Sequence, residues 1–176
     1  TIRSSKDLQK AQKKWSADIT YIHTEKDGWT YLASVEDLYS RKIIGWAFGK
    51  TMDAELAKKA LKNASLNVKK TKGIILQTDL GSQYTSNIFE EYLAELKIRH
   101  SYSRKGCPYD NSCIESFHSI LKKEEVNLKK YKDFKDAYNA IFEFIEAWYN
   151  RERIHSSLNY RTPDEVYSNL EKSLVA

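Results

Sequence analysis

Few residues in this chain of 176 can staple or sharply bend a backbone: two cysteines, two prolines and six glycines. Cys107 and Cys113 have five residues between them, one a proline, which matches no common zinc spacing; they read as reduced thiols of a cytosolic protein. No run approaches the ~18 apolar residues of a membrane span, and no charged-then-apolar leader opens the chain. Repeats and low-complexity tracts are absent. Methionine occurs once, as Met52, so a chain opening on Thr1 reads as a piece of something longer.

What is present suits one globular domain. Apolar residues make up 41%, charged residues 30% and aromatic residues 12%, and a chain of this length buries roughly 70% of its unfolded surface around one core. The 29 basic and 24 acidic side chains leave a net charge of +5, with a pI of about 9.0. Such an excess suits a polyanionic partner. It is clustered: Lys69, Lys70 and Lys72; Lys122 and Lys123; Lys129, Lys130 and Lys132; Arg151 and Arg153. Each cluster taken singly also reads as a solvated helix end or loop.

Periodicity orders the elements. "WSADITYIHT" alternates as a strand, "KDG" at 26 to 28 predicts a hairpin turn with Asp27-Gly28 supplying positive φ, and "WTYLASVED" and "IIGWAFG" predict two more antiparallel strands. Residues 52–66 have helical spacing with Thr51 or Asp53 as cap, and "GIILQTD" is a strand ending at Asp79. A helix capped by Ser86 and the strand "IRHSYS" follow. One long helix opens near Asn111, another runs from about Asp133 to Arg151, and Thr162-Pro163 starts a last short one. The organisation expected is a leading extension over 1–14, a core over 15–160 and a short helix and tail over 161–176.

Three antiparallel strands followed by helix, strand, helix, strand imply right-handed crossovers that return the later strands parallel to the first. The fold class is therefore α/β, a mixed five-stranded sheet with helices on both faces. Sites in such sheets form at the carboxyl ends of parallel strands. Asp79 lies there, with Gly81 beyond it, and Asp18 lies in the expected neighbouring strand. In "DNSCIESFHSILKKE", Ile114, Phe117 and Leu121 form an apolar arc, while Asn111, Glu115, His118, Ser119 and Lys122 share a polar one. That helix can lay Glu115 over both aspartates. Three carboxylates together repel one another, and a divalent cation removes the conflict. Oxygen ligands suit Mg²⁺ or Mn²⁺, and two such ions activate an attacking oxygen and stabilise a leaving one in phosphoryl transfer.

At these residues the sequence resembles the DDE transposases and integrases with an RNase H-like core, in particular the orfB-type transposases of bacterial insertion-sequence family three. "WSADITYI", "TDLGSQYTS", "SRKGCPYDNSCIESFHSILKKE" and "YNRERIHSSLNYRTPDE" are similar to its signature blocks, in order. Thirty-five residues separate Asp79 from Glu115 and Lys122 follows seven later, as in that family. Gln77 departs from the histidine many relatives carry. The resemblance implies a transposase core that cleaves and joins DNA at insertion-sequence ends. Asp18, Asp79 and Glu115 would be catalytic carboxylates holding two Mg²⁺ or Mn²⁺ ions. Lys122 would hold the DNA backbone, and Asn111, Ser119, Gln83 and Tyr84 would contact or position DNA. Asn150, Arg153 and His155 can reach DNA or brace the last long helix, and His118 reads as a packing or solvent residue more readily than as a DNA contact. Self-association on DNA, an amino-terminal recognition region outside this chain and a cytoplasmic, nucleoid-associated location are also implied.

Two further classes share these features: a nuclease on the same scaffold, which would hydrolyse without joining, and a non-catalytic module that binds nucleic acid through its basic face. No Ser, Cys or Tyr has a matched base, and the arginine and histidine constellation of a tyrosine recombinase is absent at usable spacing.

Overall fold

A computed structural model describes residues 13–103 and 111–175, with side chains as far as Leu170. Strand β1 (Lys14–Thr24) turns at Asp27-Gly28 into β2 (Gly28–Asp37), and β3 (Ile43–Gly49) completes an antiparallel meander. Of the two turn residues only Gly28 takes the left-handed conformation, at φ 72°. Helix α1 (Ala54–Leu66) is capped by Asp53, whose carboxylate accepts from the Leu56 amide at 2.9 Å. Strand β4 (Ile75–Thr78), helix α2 (Asn87–Leu96), which Ser86 caps, and strand β5 (Arg99–Tyr102) follow. The sheet runs β3-β2-β1-β4-β5, with β4 parallel to β1 and β5 parallel to β4. This is the mixed five-stranded arrangement expected from the sequence. Strand β4 is shorter than its apolar run and stops at Thr78, so Asp79 stands just past it.

Helices cover both faces. Trp15, Ala17 and Leu76 pack against Leu61 of α1 and against Phe89 and Leu93 of α2. On the other face, Ile22 and Leu32 meet Ile114, Phe117 and Leu121 of α3 (Ser112–Glu124) and Ile141 of α4 (Phe134–Glu143). The long helix expected to reach Arg151 widens after Glu143 into a π-helical turn over Phe144–Tyr149, where the Asn150 amide bonds back to the Ile145 carbonyl at 3.1 Å. The wider turn brings Phe144, Ile145 and Tyr149 into the core together, and Tyr149 meets Phe117 edge-on at 4.8 Å. Helix α5 (Pro163–Val175) starts on a reciprocal cap. Thr162 Oγ1 accepts from the Glu165 amide at 3.2 Å, and Glu165 accepts from the Thr162 amide at 2.8 Å. Its Tyr167 joins the α1/α2 core.

One close approach fixes the α1 layer. A Cβ on Gly45 would stand 2.3 Å from the Ala64 nitrogen and 2.6 Å from the Ala60 carbonyl, so β3 and α1 meet backbone to backbone.

Candidate active site and nucleic-acid interface

The β1/β4 ladder brings the two aspartates to one end of the sheet. Ser16 pairs with Gln77, the last pair of the ladder; Asp18 lies two residues on in β1, and Asp79 two residues on, just past the end of β4. Asp18 Oδ1 accepts from the Ile19 amide at 2.8 Å, and Asp79 Oδ1 accepts from the Gly81 amide at 2.9 Å. The absence of a side chain at Gly81 leaves room here for the Asp79 and Gln83 side chains. An added Cβ would come within 2.9 Å of Asp79 Oδ1 and 2.4 Å of Gln83 Nε2, so the Gln83 amide lies over this turn beside Asp79. Tyr84 is buried next to Phe89, and its hydroxyl has no hydrogen-bond partner. Burial, then the negative charges of Asp18 and Asp79, hold its phenol well above the usual range. The Tyr84 hydroxyl therefore lies within the field of both carboxylates. Its burial leaves it able to position neighbouring groups but not to touch DNA.

Helix α3 runs alongside β1, and three contacts record the alignment. Ser16 Oγ donates to Asn111 Oδ1 at 2.7 Å, His118 Nδ1 stands 3.4 Å from Asp18 Oδ2, and Lys122 Nζ lies 3.9 Å from the centre of the Tyr21 ring. From 111 to 122 the helix rises about 16.5 Å at ~1.5 Å per residue, and from 16 to 21 the strand advances about 16.5 Å at ~3.3 Å per residue. The two elements thus keep pace. Glu115, exposed in the first turn of α3, falls between Asn111 and His118 in this row, between the levels of Ser16 and Asp18. Ser119 is exposed, while Asn111 is buried and committed to Ser16.

The aspartate pair suits a hard divalent cation. Each carboxylate has one oxygen engaged by a backbone amide, and its second oxygen has no backbone donor among the described residues. Oxygen donors with room for water match what magnesium accepts. Among the described residues, no three His, Cys, Asp or Glu side chains form a group that could hold a metal ion. Glu115 is thus held one helical turn from His118 without being drawn in to the pair.

The "YNRERIH" residues are engaged internally. Asn150 accepts from the Ile43 amide and donates to the Ile43 carbonyl, both at 3.0 Å, clamping the start of β3. Arg153 binds Glu124 through Nε and Nη2 at 2.9 to 3.1 Å. Burial, then Arg153 and Arg41, push the His155 ring down to about 4, so it is neutral at pH 7. As placed, neither Arg153 nor His155 offers a free cation to phosphate.

Sequence reasoning reads His118 as a packing or solvent residue more readily than a DNA contact; it is buried, and what the sequence does not show is that it packs against Asp18 and Ser34. One group was missed. Glu36 is buried with both carboxylate oxygens unpartnered, and nothing in strand alternation marked it. Cys107, the Arg104–Asp110 part of the third signature block and residues 1–12 lie outside the described residues.

Residues 9–108 match the family described as Integrase core domain, and residues 96–163 match a second family of the same description. The chain belongs to the integrase core domain family. Two bacterial relatives are each 40% identical to this integrase core over 153 residues, 87% of the chain. They are the transposase for insertion sequence element IS904 of Lactococcus lactis and transposase InsF for insertion sequence IS3A of Escherichia coli; the match covers 60% and 53% of their own lengths. The HTLV-2 integrase catalytic core domain in complex with magnesium superposes with a TM-score of 0.63 at 18% identity, over 89% of this chain and 96% of that one. The BIV integrase catalytic core domain does so with a TM-score of 0.65 at 18% identity, over 94% and 99%. The fold is that of the retroviral integrase cores, RNase H-like.

Proposed function

We propose that this integrase core is the catalytic domain of an insertion-sequence transposase, a polynucleotidyl transferase that cleaves DNA at element ends and joins them to target DNA. The observation that carries this is the placement of Asp18 in β1 and Asp79 just past the end of the parallel β4, each two residues beyond the Ser16–Gln77 pair, with α3 running along β1 and carrying Glu115 and Lys122. The 40% identity to two transposases supports the substrate class.

Asp18 and Asp79 would hold one divalent ion and Asp18 and Glu115 a second, Mg²⁺ or Mn²⁺. Bound there, the ions supply Lewis-acid chemistry, making water or a hydroxyl nucleophilic and stabilising the departing oxygen. Lys122 places a compact positive charge against a backbone phosphate. Gln83 and Ser119 line the approach to the carboxylates, His118 would steady Asp18, and Tyr84 is a buried packing residue whose hydroxyl lies in the field of both aspartates. In the first step water cleaves a phosphodiester and exposes a 3′-hydroxyl. In the second that hydroxyl attacks another phosphodiester, with no covalent enzyme intermediate. Self-association would bring two element ends together; the HTLV-2 core is itself known in dimeric and trimeric forms.

The test is strand transfer on labelled duplex ends with Mg²⁺ or Mn²⁺, using the chain joined to the rest of its protein, beside Glu115→Gln. Metal-dependent joined products that vanish in the variant while DNA binding persists support the proposal. Cleavage without joining replaces it with a nuclease, and metal-independent binding alone replaces it with a binding module.

A further inference from the structure

At the hairpin end of the sheet, beyond the helices that cover β1, aromatic rings gather on one face. Trp29 pairs across the strands with His23, their ring centres 5.0 Å apart, and meets Tyr21 edge-on at 5.1 Å. Tyr21 and Trp29 are each 55% exposed, an unusual state for two large rings in contact. They line a groove of about 450 Å³ together with Tyr131, Lys122, Lys129 and Lys130, and with Glu25 as its one acidic residue among those described. Neither Lys122 nor Lys130 has a carboxylate partner among the described residues, whereas neighbouring Lys129 is held by Glu125 at 2.9 Å.

We propose that this groove binds an unpaired nucleotide of the DNA strand entering the Asp18–Asp79 centre, with the base on Tyr21 and Trp29 and its phosphate between Lys122 and Lys130. The inference rests on the chain being a DNA-processing core and adds which part of the DNA it grips. Ring faces flanked by cations are the chemistry that holds single strands without regard to sequence. An intact duplex keeps its bases stacked on one another and has no face to offer. The volume lies in the range of a small-molecule site, too small for a double helix. Continuity places the groove on the DNA path: Tyr21 is three residues along β1 from Asp18, about 10 Å at ~3.3 Å per residue. Lys122, already positioned in the same helical row as Glu115, joins the two sites.

Binding in the presence of EDTA separates this from catalysis. The dissociation constants of a blunt duplex and of the same duplex with three unpaired thymidines at one end would be measured by fluorescence anisotropy. The wild-type chain is expected to favour the tailed duplex about tenfold. Trp29→Ala with Tyr21→Ala is expected to abolish that preference while leaving blunt-duplex affinity within about twofold, and Trp29→Phe to retain most of it. Equal binding of the two duplexes by wild type, or a preference that survives the double variant, overturns the proposal. A change in sedimentation coefficient on Trp29→Ala, with the preference intact, also overturns it by making the rings a contact between copies. Failure to bind either duplex would instead remove the DNA-processing reading on which the proposal stands.

Discussion

His118 Nδ1 lies 3.4 Å from Oδ2 of Asp18, and its Nε2 lies 3.4 Å from the Ser34 hydroxyl, so the ring spans from the β1 carboxylate to β2. A carboxylate steadied this way loses fewer orientations when it takes a cation. His118→Ala is expected to raise the Mn²⁺ concentration for half-maximal strand transfer by roughly tenfold or more while leaving DNA affinity unchanged. An unchanged metal requirement would reduce His118 to packing.

Lys122 is half-buried and rests its ammonium on the Tyr21 ring, beside the groove. Lys122→Ala is expected to weaken duplex binding and to reduce the slope of log affinity against log salt by about one. A salt titration with identical slopes for both proteins would take Lys122 off the phosphate path.

Glu36 is buried without a hydrogen-bond partner, and burial pushes its carboxyl up to about 8. The folded state then holds a proton that the unfolded chain releases near pH 4.5, so stability falls as pH rises through that interval and levels off above about 8. Buried Asp37, raised in the same direction, adds to the trend. His155 works oppositely: its depressed ring makes stability fall as pH drops from 6.5 toward about 4. The window from 6.5 to 8 is therefore clear of His155. Urea midpoints there should decline for wild type and decline less for Glu36→Gln; equal declines would show that Glu36 is ionised in the folded protein.

Asn150 satisfies both backbone groups of Ile43 from more than a hundred residues away. Asn150→Ala leaves a buried donor and acceptor unpaired and is expected to cost about 2 to 4 kcal/mol by urea unfolding. DNA affinity of the folded variant should match wild type, and a selective loss of affinity would move Asn150 to the interface.

The sheet was legible because its signals are local: alternation in β1, a glycine at the hairpin, and helix starts marked by Asp53, Ser86 and Thr162. The placement of β4 beside β1, which brings Asp79 to the same end of the sheet as Asp18, followed from topology, since a crossover through α1 leaves β4 little choice of neighbour. Long-range side-chain commitments were not legible. The spacing of Arg153 and His155 shows two basic groups, and only the fold reveals Glu124 opposite one and, beside the other, the Tyr149 ring and two arginines. The π-turn was equally hidden, because Phe144, Ile145 and Tyr149 fit an ordinary helical stripe until Tyr149 must reach Phe117.

Strand β4 pairs with β1 only at Lys14, Trp15 and Ser16. Past that point the Ile19 amide is answered by the Asp18 carboxylate instead of by a neighbouring strand. On the proposed reading, the reactive centre occupies an unfinished edge in the middle of a sheet. Two more residues of pairing would make the protein sturdier and, on that reading, fill the space left open for a phosphodiester. Selection for a firmer scaffold and for an open carboxylate pair act against each other at this one place.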